Sequence, residues 1–175
     1  MSTLAVNTIQ AETGTTVTVA SGHSLDASAG LILPAGVGGK ILQVKQTTLT
    51  TNTDFNNSTF TALMSVTITP TSSSSKFLVM FTGIIDSIGD SYFRARFTKT
   101  VGGVTTATFG NWANGALNFG SSNQHGAGYA MNHLDAPATA SEIVYNFEGM
   151  DPGNNQTIRL NASGYSTFTV MEVAG

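Results

Sequence analysis

Three histidines, His23, His125 and His133, are the side chains best suited to hold a metal or move a proton near neutral pH. The last two stand eight residues apart, which on a regular strand puts them on one face with Tyr129 and Met131 between them. No acidic cluster accompanies them, so they read as structural histidines; only a threefold axis repeating one of them would gather enough ligands. Asp86 and Asp90 flank a turn at Gly89, and Asp151 to Asn155 forms an oxygen-rich loop. Neither reaches the six to eight oxygens of a calcium cage, and both read as turns. Glu142 and Glu148 on one strand and Glu172 on another are candidates for a glycosidase pair, which needs a separation of about 5 to 10 Å. Their spacing gives no positive sign of one.

The stretch PAGVGGK, Pro34 to Lys40, superficially matches a phosphate-binding loop but fails twice. Pro34 stands at the first required glycine, and Ile41 replaces the magnesium-binding hydroxyl. There is no Gly-x-Ser-x-Gly elbow and no cysteine, which removes thiolate nucleophiles, disulfides and Cys-based zinc sites. The chain therefore reads as a non-enzyme with no metal and no cofactor. Asn-x-Ser/Thr patterns at Asn56, Asn57, Asn155 and Asn161 are incidental to the composition. Thr108 to Gly128, with the single Trp, is too irregular for one strand and reads as an exposed loop region. Its Asn111, Trp112, Asn114 and Asn118 offer amides and a ring face, which is what a neutral saccharide asks for, and they are the candidate receptor contacts. The competing reading has Trp112 and Phe119 anchoring the loop into the core.

Stepping from these residues to the elements that must place them, the composition is neutral and hydroxyl-rich. Ser, Thr and Asn supply 56 of 175 residues, and Asp, Glu, Lys and Arg only 17, for a net charge of −3. That is too little cationic density to neutralise nucleic acid or dock on anionic lipid. The first residues carry neither the charge nor the apolar run of a secretory leader, and no apolar run approaches a membrane span. β-branched residues in short alternating runs point to strands throughout, with no helix.

Residues 1–39 carry the apolar pairs Val6 and Ile9, Val17 and Val19, Leu31 and Leu33, parted by Gly14, Gly22 and Gly30. A segment below about 40 residues without disulfide or metal rarely builds its own core, so copies are expected to wrap one another as a three-chain β stalk. PAGVGG marks the boundary, and a second domain, 40–175, follows. Strands are expected at Lys40–Gln46, Thr59–Thr69, Lys76–Asp86, Tyr92–Lys99, Gly128–Leu134, Ser141–Glu148, Gln156–Ala162 and Thr167–Ala174, with a tight hairpin at Gly102-Gly103. This number and spacing predict an all-β fold, a jelly-roll-like sandwich. Lys76–Asp86 is apolar on both faces. Phe77, Val79, Phe81 and Ile85 take the core, so Leu78, Met80 and Ile84 are expected to meet a neighbouring subunit, as Val6, Ile9, Val17 and Val19 do in the stalk. The alternative is a loop lying over that face.

The segments VNTIQAETGTTVTVASGHSLDASAGLILPAG, KILQVKQTTLTTNTDFNNSTFTALMSVTITPTSSSSKFLVMFTG and STFTVMEVAG together resemble virion appendage proteins of tailed bacteriophages, particularly marine and cyanobacterial ones. The middle of the chain has no such counterpart. The resemblance implies a homotrimer with a jelly-roll head related in architecture to C1q and tumour necrosis factor. It further implies a virion tail fibre made in the host cytoplasm, joined to other virion proteins through the N-terminal segment and contacting a host surface glycan or protein. The alternative is a capsid decoration protein or head fibre bound to the phage shell.

Overall fold

The structure is a computed structural model that describes residues 21–22, 41–88, 91–110, 117–121, 125–153, 157–161 and 164–175. Contacts divide the chain into two units, Met1–Val37 and Gly38–Gly175. In the first, only a turn at Ser21 and Gly22 is described, and the stalk expectation lies outside the described residues.

The second unit is built from eleven described strands: β1 (Ile41–Leu49), β2 (Thr53–Phe55), β3 (Thr61–Ile68), β4 (Lys76–Ile88), β5 (Ser91–Val101), β6 (Val104–Phe109), β7 (Leu117–Ser121), β8 (His125–Asp135), β9 (Ile143–Met150), β10 (Thr157–Leu160) and β11 (Ser166–Val173). No described residue is helical. The strands form two antiparallel sheets packed as a sandwich, as the alternation predicts. In the first sheet the order is β1-β11-β4-β10-β2, with β8 also on β4. β8 follows β4 from Phe77 to Ser87 without a register shift. β11 takes the first half of the opposite edge of β4 and β10 the second half. The second sheet runs β3-β9-β5-β6, with β7 on β5.

The core follows from period-two alternation. Phe77, Val79, Phe81 and Ile85 of β4 are fully buried against Phe93 and Phe97 of β5, Tyr145 and Phe147 of β9 and Phe168 of β11. Phe81 and Phe147 stack across the sandwich with centroids 3.8 Å apart. A polar clasp also crosses between the sheets, where Asp135 accepts from Lys99 Nζ at 2.9 Å and from the Tyr145 hydroxyl at 2.8 Å. Burial first, then the Asp135 carboxylate, pushes the Tyr145 phenol far above its ordinary value, which keeps it a neutral donor.

Two sequence expectations need correction. Thr108–Gly128 is not one irregular loop: β6 runs to Phe109, residues 117–121 pair with β5 as β7, and β8 begins at His125. Glycines at 115, 120, 126 and 128 hide the alternation there, yet the free edges of β5 and β4 accept the backbone regardless of side chain. β4 runs two residues past its expected end at Asp86, to Ile88, and Asp86 is registered against Arg159 and Gly126 within the sheet. β2 is three residues long, too short for a periodic signal.

Candidate functional site

Asp54, Asp135, Glu148, Asp151 and Glu172 each sit in a hydrogen-bonded network. On the outward face of the second sheet, Arg96 on β5 grips Glu148 on β9 through Nη2 at 2.6 Å and Nε at 2.7 Å. Thr98 donates to the same carboxylate at 2.9 Å and accepts from Asn146, whose oxygen takes the Ser65 hydroxyl at 2.8 Å. The Phe60 ring lies 4.0 Å from the Arg96 guanidinium and shields the pair. Desolvated charges hold only when they are paired and hydrogen-bonded, and this network ties β3, β9 and β5 together with both Glu148 oxygens engaged.

Glu172 faces inward at the end of the first sheet, where it accepts from Gln43 Nε2 at 2.6 Å and from the amide and hydroxyl of Thr71, both at 2.7 Å. Burial pushes its carboxyl up, but the donors Ser75, Gln43 and Thr71 outweigh burial and leave it below its ordinary value. Glu142 is exposed. The three glutamates thus lie in three separate settings. Asp151 caps its own turn, its Oδ1 accepting from the amides of Gly153 at 3.1 Å and Tyr92 at 3.3 Å. Asp54 holds Arg159 by two bonds of 2.7 and 2.8 Å, and these hold the carboxyl below its ordinary value.

His133 stacks on Phe109 with centroids 5.0 Å apart. His125 starts the same strand, eight residues or about 26 Å away, so one copy cannot bring the two to a common ion. His23 lies outside the described residues. No group of three metal-ligating side chains occurs among the described residues.

Of the candidate receptor contacts, Asn111, Trp112 and Asn114 lie outside the described residues, and Asn118 is on β7 in register with Arg94 of β5. Of the candidate subunit contacts, Val6, Ile9, Val17 and Val19 lie outside them too. Leu78, Met80 and Ile84 take the outward face of β4, each half-buried.

Sheet register shows what surrounds that face. Leu78 is opposite Met171 on one side and Leu134 on the other, and Met171 is opposite Val44. The result is an unbroken apolar row across β1, β11, β4 and β8, with Val44 50% and Leu134 54% exposed. A bulge between Ile41 and Gln43 turns Ile41 to the same side, where it is opposite Val173. Sequence reasoning missed Val44, Met171 and Leu134. Each had an apolar character that was visible, but not the neighbours that make a surface of them.

Along the strands the face changes character. The next rows mix polar and apolar residues, Gln46, Thr169, Met80 and Asn132, then Thr48, Thr167, Thr82 and Ala130. Beyond them β11 gives way to β10 along β4, and a groove of about 280 Å³ opens there, lined by Thr82, Ile84, Gly128, Tyr129, Ala130 and Tyr165. Tyr165 stands 72% exposed on the link between the two strands. Burial raises the Tyr129 phenol above its ordinary value.

No family model matches the chain, and no curated protein matches it. Among solved structures it is similar to one titled "Structure of infectious bursal disease virus Gx strain", at 11% identity and a TM-score of 0.36, over 82% of this chain and 44% of that one. The chain therefore spans less than half of that neighbour, and a likeness this loose carries neither fold nor function across.

Proposed function

We propose that the protein is a non-enzymatic structural component of a virus particle that works as an assembly of identical copies. In the finer reading it is a homotrimeric tail fibre of a tailed bacteriophage, joined to the particle through its N-terminal segment and meeting the host surface with its β-sandwich. The observation that carries this reading is the row Val44, Met171, Leu78 and Leu134 on the outside of a folded sandwich. Two further features support it. The described acidic clusters are closed by their own partners, which suits a scaffold better than a catalyst. The hydroxyl-rich, weakly charged surface keeps contacts insensitive to salt.

The test is immunogold labelling of particles of a virus whose genome encodes the chain, with antibody raised against the folded protein. Gold at the tail tips supports the fibre. Gold over the shell overturns the tail assignment in favour of a head fibre or decoration protein, and particles without gold overturn the virion role itself.

A further inference from the structure

We infer that the groove rimmed by Tyr165 is a binding site for one neutral pyranose ring of a glycan, with Tyr165 as the stacking platform and Thr82 as a hydroxyl partner. The inference rests on the host-attachment reading and gives it a site other than the Asn111–Asn118 segment.

Four observations converge on this chemistry. No charged side chain lines the groove, so it offers nothing to a phosphate, a carboxylate or a cation. Its volume, about 280 Å³, lies at the lower end of ligand clefts, about 300 Å³, which suits one sugar ring. The Tyr165 ring is an exposed aromatic face beside the cavity rather than a core side chain, and such a face takes the C–H side of a pyranose. The row Thr48, Thr167 and Thr82 leads up to the groove, placing three neutral hydroxyls about 4.8 Å apart on neighbouring strands.

The floor is open for a sequence reason. At Gly128 a Cβ would meet no atom within 4 Å, and the backbone there is not left-handed. Glycine is thus not required by the fold at 128, and its absent side chain is what makes the space. The apolar row at Leu78 lies four residues along β4 from Thr82 at the near rim, about 13 Å, so copies that meet through that row alone leave the groove accessible.

The experiment uses the full chain and the methyl glycosides of glucose, galactose, mannose and N-acetylglucosamine, read by saturation-transfer NMR and titration. Two variants accompany it, Tyr165→Ala, which removes the platform, and Gly128→Leu, which fills the floor. The expected result is transfer to the ring C–H protons of at least one glycoside, with millimolar affinity weakened about tenfold in both variants and assembled mass unchanged. Three results overturn the inference: no transfer from any of the four glycosides, binding indifferent to both variants, or a change of assembled mass showing that another copy fills the groove. Because particle labelling does not depend on sugar, loss of this site and loss of the virion role register in different measurements.

Discussion

Glu172 shows how far single residues could be read. It stands out in sequence as an acid near the end of a strand, of the type that a catalytic pair with Glu148 requires. Its partners Thr71 and Gln43 are 101 and 129 residues away in the chain, so only the folded sheets reveal that its carboxylate is fully occupied. The consequence is a pH dependence. Its folded pKa lies below the ordinary 4.5, so the unfolded chain takes up the proton more readily. The stability it contributes is complete above about pH 4.5 and is lost as pH falls through the depressed value. Glu172→Gln is expected to cost about 2 kcal/mol at pH 7 and to flatten the decline below pH 4.5, read from urea midpoints across a pH series. Equal slopes for the two proteins would count against this account. Glu148 was equally visible, and Arg96, which pairs with it, is 52 residues away in the chain.

At the scale of elements, local chemistry was legible where the backbone demanded a particular residue. Gly102 and Gly103 have φ of +57° and +82°, the two left-handed positions of a tight hairpin, and β5 and β6 pair from Val101 and Val104 outward as their dipeptide predicts. Strands β2 and β7 were not legible, because one is three residues long and the other is short and glycine-flanked, and both are held by an edge that another strand presents. Glycine also has two opposite meanings in one strand pair. A Cβ at Gly83 would overlap the Ser166 side chain and the Phe81 ring, where the chain enters β11, whereas at Gly128 it would meet nothing. Gly83→Ala is therefore expected to lose about 1 to 3 kcal/mol and Gly128→Ala to stay within about 0.5 kcal/mol of the parent, measured by thermal unfolding. Similar losses for both would mean that the packing at β4 and β11 is looser than described.

For the whole molecule, the unresolved balance in one chain is the apolar row on its outer sheet. Leu134 is half exposed, so Leu134→Asp is expected to leave the fold within about 1 kcal/mol of the parent while breaking contact between copies. Light scattering should then give about 55 kDa for the parent, three copies of an 18.2 kDa chain, and a single chain for the variant. A parent that scatters as 18.2 kDa would remove self-association from the account.

Sequence by itself determined the all-β class, the main strands, the hairpin turn and the inward set Phe77, Val79, Phe81 and Ile85, because strand alternation and turn chemistry are properties of residues a few positions apart. It also singled out Leu78, Met80 and Ile84 as a second apolar face. Only the tertiary structure decided that Val44, Met171 and Leu134 join Leu78, that Arg96 closes on Glu148, and that a groove opens beside Tyr165. Those outcomes depend on which strands lie side by side and in what register. That choice is made by packing two whole sheets against each other, and no short window of sequence contains it.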